Sequence, residues 1–155
     1  MFDFLKTGNF EFQMSSSVLV DAPVERVWTV ISDVTRWPEW AGVCTRVWGS
    51  PEEDALKPGH KFGFMLKMAG KNIPFFVTVS RIKTGSIIEW KSTKFTITAV
   101  RTISVELDND RCKATDSKHF SCYLLPIRLA YPRKVIRRMT KSWLSDLKNE
   151  AELNG

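Results

Sequence analysis

The sequence predicts an α+β fold in which a curved antiparallel sheet of about seven strands wraps one long C-terminal helix, with two short helices after the first strand. Three observations predict it. Runs of alternating apolar and polar residues recur along most of the 155-residue chain, separated by short turn-forming segments. The stretch Val20–Trp40 joins a strand end, an amphipathic helix and a Trp-Pro-x-Trp turn. From Pro126 to about Leu153, apolar residues return at helical spacing.

Phe10, Phe12, Met14, Ser16, Val18 and Val20 occupy alternate positions opposite Glu11 and Gln13, the pattern of a half-buried first strand. A helix is expected next. Asp21 is placed to cap the backbone N–H groups that follow, and Pro23 suits a first helical turn because its φ is fixed and its missing donor has no partner there anyway. Val24, Val27, Trp28 and Ile31 form one face, while Glu25 lies near the positive end of the helix dipole. Pro38 disfavours helical geometry at Trp37, so a second short helical turn across Thr35 to Trp40 is expected to be irregular. Its two indoles, at a chain reversal, suit the closed end of a core or pocket.

Val43–Trp48 predicts a second strand, and Gly49–Gly59 a loop combining turn formers with a run of acids. Phe62, Phe64, Leu66 and Met68 alternate again, followed by a turn around Gly70–Asn72 and then Phe75, Val77 and Val79. Thr84-Gly85-Ser86 breaks the chain before Ile87–Lys91, Lys94–Leu107 forms the next strand, and Asp108–Arg111 turns into Cys112–Leu124. Such short turns imply an antiparallel meander. On the last helix Ile136, Met139, Trp143 and Leu147 make one stripe, with Arg133, Lys134, Arg137, Arg138, Lys141 and Lys148 mostly elsewhere. No repeat or low-complexity stretch suggests a boundary, so residues 1–155 are read as a single domain.

No segment approaches the roughly 20 apolar residues needed to span a bilayer, and the first residues lack a basic leader, which makes a cytoplasmic protein the expectation. Cys44, Cys112 and Cys122 have no zinc spacing. Cys112 and Cys122, on one strand, would lie roughly 33 Å apart, so reduced thiols are expected. His60 beside a turn and His119 on the polar strand face read as surface residues. No HExxH, Gly-x-Ser-x-Gly or phosphate-binding glycine loop occurs, and neither cofactor nor metal is implied. The net charge of +6 has a local source in Arg128, Arg133, Lys134, Arg137, Arg138 and Lys141. Without a nucleic-acid motif, this cluster reads as a solvated helix face, with transient contact to an anionic membrane or a protein partner as alternatives.

Ala22-Pro23, Val27-Trp28, Ile31-Ser-Asp33 and Trp37-Pro-Glu-Trp40 resemble the N-terminal signature of the SRPBCC superfamily, which includes polyketide cyclases, lipid-transfer START domains and pollen-allergen-like proteins. The resemblance runs nearly end to end, through Gly59, Phe62, Phe64, Trp90 and the segment Phe120–Pro126, and implies a helix-grip fold. That scaffold serves enzymes, carriers and sensors alike. Its implied function here is binding or transport of a small hydrophobic molecule, a lipid, sterol, aromatic or polyketide-like guest, in an internal cavity.

Side chains either fill such a volume or leave it open. Phe12, Phe64, Phe75, Phe120, Met139 and Trp143 supply apolar walls, and the expected ligand contacts are Phe64, Phe75, Trp90, Arg101, Phe120, Met139 and Trp143. Arg101 shares parity with Ile97, Ala99 and Ile103, and Asp116 and Lys118 with Ala114 and Phe120. All three are therefore expected to point inward, unless a bulge turns them to solvent. An Arg101–Asp116 pair across the hairpin would be either purely structural or an orienting group for a ligand carbonyl or carboxylate. The same two residues are the candidates for polarising substrate and moving protons if the protein is instead a polyketide cyclase or aromatase-like enzyme.

Overall fold

The structure is a computed structural model and describes residues 10–49, 56–94, 96–122 and 132–153. Seven strands, β1 (Phe10–Val20), β2 (Cys44–Trp48), β3 (Lys61–Met68), β4 (Lys71–Lys83), β5 (Ile87–Lys94), β6 (Ile97–Asp108) and β7 (Arg111–Cys122), form one antiparallel sheet in the order β1-β7-β6-β5-β4-β3-β2. Strands β2 to β7 follow the predicted meander. β1 departs from it by returning to the far edge, where Phe12 faces Phe120 and Val20 faces Cys112.

Between the two edge strands run α1 (Val24–Ser32), a 3₁₀ turn (Val34–Arg36) and the short α2 (Trp37–Trp40), and the chain closes with α3 (Arg133–Leu153). α3 packs chiefly on β1 and α1. It is pinned from its outer side: Asp146 Oδ2 accepts the Gly42 N–H at 2.9 Å, and Glu152 Oε1 accepts the Asp21 N–H at 3.2 Å. Ile136, Thr140, Trp143, Leu144, Leu147 and Ala151 form its buried stripe.

Two register shifts, between Cys44 and Arg46 and between Val79 and Arg81, interrupt the ladders on the β2–β5 side. Such bulges bend a sheet and increase its twist, which lets it wrap a helix. Within the resulting concavity Trp37 is buried, donates its indole N–H to Ile31 O at 3.0 Å, and lies 5.4–6.1 Å from the rings of Phe62, Phe64, Trp90 and Trp143.

Several local expectations are corrected. Asp21 does not cap α1; Pro23 holds the cap position with extended backbone, and no side chain bonds to the helix start. Trp37 is fully helical, at φ −51° and ψ −41°, despite preceding Pro38. Burial of its indole among four aromatic rings outweighs the local steric bias. The turn after β3 is Ala69–Gly70, not Gly70–Asn72, and both residues have positive φ. Lys94 ends β5 instead of starting β6; the reversal falls at Thr96, whose φ is 65°. Tyr123–Pro126, Arg128 and residues 50–55 lie outside the described residues, and the last helix is described from Arg133.

Candidate functional site

A cavity of about 100 Å³ lies between the concave face of the sheet and α3. All seven expected ligand contacts line it: Phe64 from β3, Phe75 from β4, Trp90 from β5, Arg101 from β6, Phe120 from β7, and Met139 and Trp143 from α3. Phe12 does not. Its ring stacks behind Phe120 at 4.8 Å, and Arg133 lies 4.2 Å above it, so it supports the wall without forming it. Val43, Leu66, Met68, Ala99 and Ile136 complete the apolar lining. Phe64, Trp90 and Trp143 are buried, whereas Leu66, Met68, Phe75 and Met139 are half-buried, and this gradient places the mouth beside the second group. Ligand pockets are more often ~300–1,000 Å³. A guest larger than a single ring must therefore displace side chains, and the unbranched Met68 and Met139 have the torsional freedom to yield.

The remaining lining residues, Ser92, Arg101, Lys118 and Thr140, are polar, and three of them belong to one network. Arg101 donates Nε–H to Asp116 Oδ1 at 3.1 Å and Nη2–H to Asp116 Oδ2 at 2.7 Å, a forked pair. Lys118 Nζ donates to the same Oδ2 at 3.3 Å and to Thr140 Oγ1, whose own O–H donates to Ile136 O at 2.8 Å. The guanidinium is further fixed between two indoles, 5.3 Å from the Trp90 ring and 4.7 Å from Trp143. Asp116 is 0% exposed and does not line the cavity, while the Arg101 and Lys118 side chains retain 12% and 14% exposure. The carboxylate is thus a holder for the two cations that reach the cavity.

Strand register explains the arrangement. Trp90 and Arg101 are directly paired on β5 and β6, Arg101 and Lys118 on β6 and β7, and Asp116 sits one inward position along. Like charges directly across a sheet repel, so the diagonal carboxylate is what lets the pair coexist. Burial alone would raise the Asp116 carboxyl, but the charges of Arg101 and Lys118, with their hydrogen bonds, hold it below the ordinary carboxylate range. Burial dominates at Lys118 and lowers its ammonium to about 8, against the supporting charge of Asp116. Thr140 is absent from the expected site residues. Its signal lay in the spacing, since it sits four residues after Ile136 and three before Trp143 on an otherwise apolar stripe.

Other candidates lie elsewhere. Cys44, Cys112 and Cys122 are buried, and burial pushes the Cys44 thiol up to about 11, far from a reactive thiolate. His60 Nδ1 accepts the Lys57 N–H at 3.0 Å, and His119 Nε2 lies 3.5 Å from Glu11 on the outer face of the sheet. Lys134, Arg137, Arg138 and Lys141 are exposed along α3. Among the described residues no cluster of His, Cys, Asp or Glu is placed as metal ligands would be, and no helix is long and apolar enough to cross a membrane.

A seven-stranded antiparallel sheet closed on a long C-terminal helix, with a cavity between them, defines a helix-grip protein. The chain belongs to the polyketide cyclase / dehydrase and lipid transport family, whose model matches residues 11–152, within the SRPBCC superfamily. Comparison with curated proteins returns no sequence match. Among solved structures it is similar to the Zhui aromatase/cyclase from Streptomyces sp. R1128, at 16% identity and a TM-score of 0.77, covering 92% of this chain and 94% of that one. A START superfamily protein from Mycobacterium smegmatis superposes at 15% identity and a TM-score of 0.73, over 92% and 99% of the two chains. Major latex-like protein 151 from Panax ginseng does so at 9% identity and a TM-score of 0.77, over 91% and 97%. These likenesses define the fold.

Proposed function

We propose that the protein binds, and by exchange carries, a small hydrophobic molecule in the cavity between sheet and α3, with Arg101 anchoring a polar group of that molecule. The observation that carries this reading is the division of the cavity wall. Apolar side chains from every strand between β3 and β7 and from α3 surround it, and its charged groups converge at Arg101 and Lys118. A filled core would have no use for two cations on its inner face, because each costs several kcal/mol to desolvate. Phe64, Phe75, Trp90, Phe120, Met139 and Trp143 then supply shape and apolar contact.

Native mass spectrometry of the purified protein tests the reading, paired with titration of hydrophobic probes followed by tryptophan fluorescence. Trp90 and Trp143 line the cavity, so occupancy should change the emission. Absence of both co-purified mass and saturable quenching across aliphatic and aromatic probes would reject it.

A second reading, cyclisation of a poly-β-ketone chain, is favoured by Lys118, a buried amine at about 8 facing the same space as Arg101. In that reading Arg101 polarises a carbonyl, Lys118 exchanges the proton, and Asp116 acts only by holding both. Turnover of a poly-β-ketone mimic that persists in Arg101→Ala and Asp116→Ala would exclude this assignment.

A further inference from the structure

The polar end of the cavity is unbalanced in charge. Arg101 and Lys118 both reach it, Asp116 lies behind them, and among the described residues no carboxylate lines the space. With Lys118 protonated, two cations share one anion. The donors are also incompletely used. Asp116 takes Nε and Nη2 of Arg101 and one N–H of Lys118, and Thr140 takes a second N–H of Lys118. That leaves both N–H groups of Nη1 and the second of Nη2 on Arg101, with one N–H of Lys118, without an acceptor among the described residues.

We infer that the molecule held in this cavity carries a single carboxylate, bound jointly by Arg101 and Lys118, with its hydrocarbon part directed toward Phe75 and Met139. This rests on the cavity being a binding site at all, and adds the charge class of its occupant. One negative charge balances the three-residue network. A neutral carbonyl or hydroxyl satisfies a donor but leaves the surplus charge buried. A phosphate monoester, at about −1.5 to −2 near neutral pH, overshoots it. Arg101 cannot relieve the imbalance by losing a proton, because guanidinium stays charged. Lys118 can, and its lowered affinity for the proton reflects burial beside another cation. An arriving carboxylate reverses that balance, so binding near pH 8 draws a proton onto the amine.

The test compares molecules of one skeleton differing only in the head: octanoate with methyl octanoate and octylamine, and 2-naphthoate with its methyl ester. Isothermal titration near neutral pH should show each acid binding about tenfold or more tighter than its ester, the gain expected of charge-assisted hydrogen bonds, with octylamine weakest. Arg101→Met should remove most of that preference by weakening acid binding far more than ester binding, which loses only a neutral hydrogen bond. Repeating the octanoate titration near pH 8.5 in two buffers of different ionisation enthalpy should reveal net proton uptake, absent in Lys118→Met. If acids and esters bind equally, the carboxylate assignment falls while the cavity remains a binding site. If neither acids nor esters bind the wild-type protein, both readings fall, whatever the variants do.

Discussion

Arg101 and Lys118 are direct cross-strand partners on β6 and β7, two cations side by side, with the buried carboxylate of Asp116 bridging both. Removing that carboxylate leaves uncompensated buried charge. Asp116→Asn should therefore destabilise the fold by about 3–5 kcal/mol, measured by urea unfolding. Adding Lys118→Met to Asp116→Asn should return part of the loss. A double variant no more stable than the single would show that Asp116 does not act by holding Lys118.

Lys118 also makes stability depend on pH. Its ammonium titrates at about 8 in the folded protein and near its ordinary 10.5 when unfolded. Below about 8 both states are protonated, and the folded state bears the full cost of the buried charge. Between the two values the unfolded chain binds more protons, so Lys118 contributes a stability that rises with pH across that window. Unfolding free energies at about pH 7.5 and about pH 9.5 should show wild type gaining on Lys118→Met. Parallel changes in the two proteins would contradict the buried-amine account.

Ala99 lines the cavity from β6 and offers a way to fill it without touching charge. Ala99→Leu should weaken binding of a hydrophobic probe about tenfold or more, while shifting stability by less than ~1–3 kcal/mol because the added methyl groups enter empty space. Retained probe affinity in a correctly folded Ala99→Leu protein would place the ligand elsewhere.

On the outer face, Gly63 is paired with Trp48, and a Cβ at Gly63 would lie 2.4–2.6 Å from the indole. Gly63→Ala must displace that ring, which also meets Phe76 edge-on at 5.7 Å. A loss of about 1–3 kcal/mol is expected. Trp48→Ala should make the same substitution nearly neutral in a double-mutant cycle. Additive losses would mean that the strain arises in the strand backbone.

The turn Ala69–Gly70 places a non-glycine residue at φ 49°. Asparagine tolerates the left-handed region better, so Ala69→Asn should raise stability by about 0.5–1 kcal/mol. A lower thermal midpoint for that variant would show that the side chain matters more than the backbone there.

Strand alternation made the inward set of β6 and β7 legible, and with it Arg101, Asp116 and Lys118, because parity fixes which face a side chain takes. Parity could not separate wall from second layer. Phe12 has inward parity like Phe120, but its β1 position at the sheet edge puts it behind that ring. Asp116 shares parity with both cations yet lies deeper, a matter of side-chain length and register. Thr140 differs: its place on the apolar stripe marks it as buried, but a threonine in a helix can satisfy itself on the preceding turn, so the spacing does not reveal its contact with Lys118. The Lys94 boundary failed because no glycine or proline marks the reversal, and Thr96 takes the positive φ itself.

The pairing of β1 with β7 ties Phe12 to Phe120, residues separated by most of the chain. Contacts this distant form only after their loop-closure entropy has been met, which slows folding. During synthesis β1 leaves the ribosome long before its neighbour β7 exists, while β2 to β6 can zip as local hairpins. The cavity's β7 wall and its charged end, split between β6 and β7, are therefore among the last features to be assembled. A nascent chain halted before β7 would hold Arg101 without either Asp116 or Lys118.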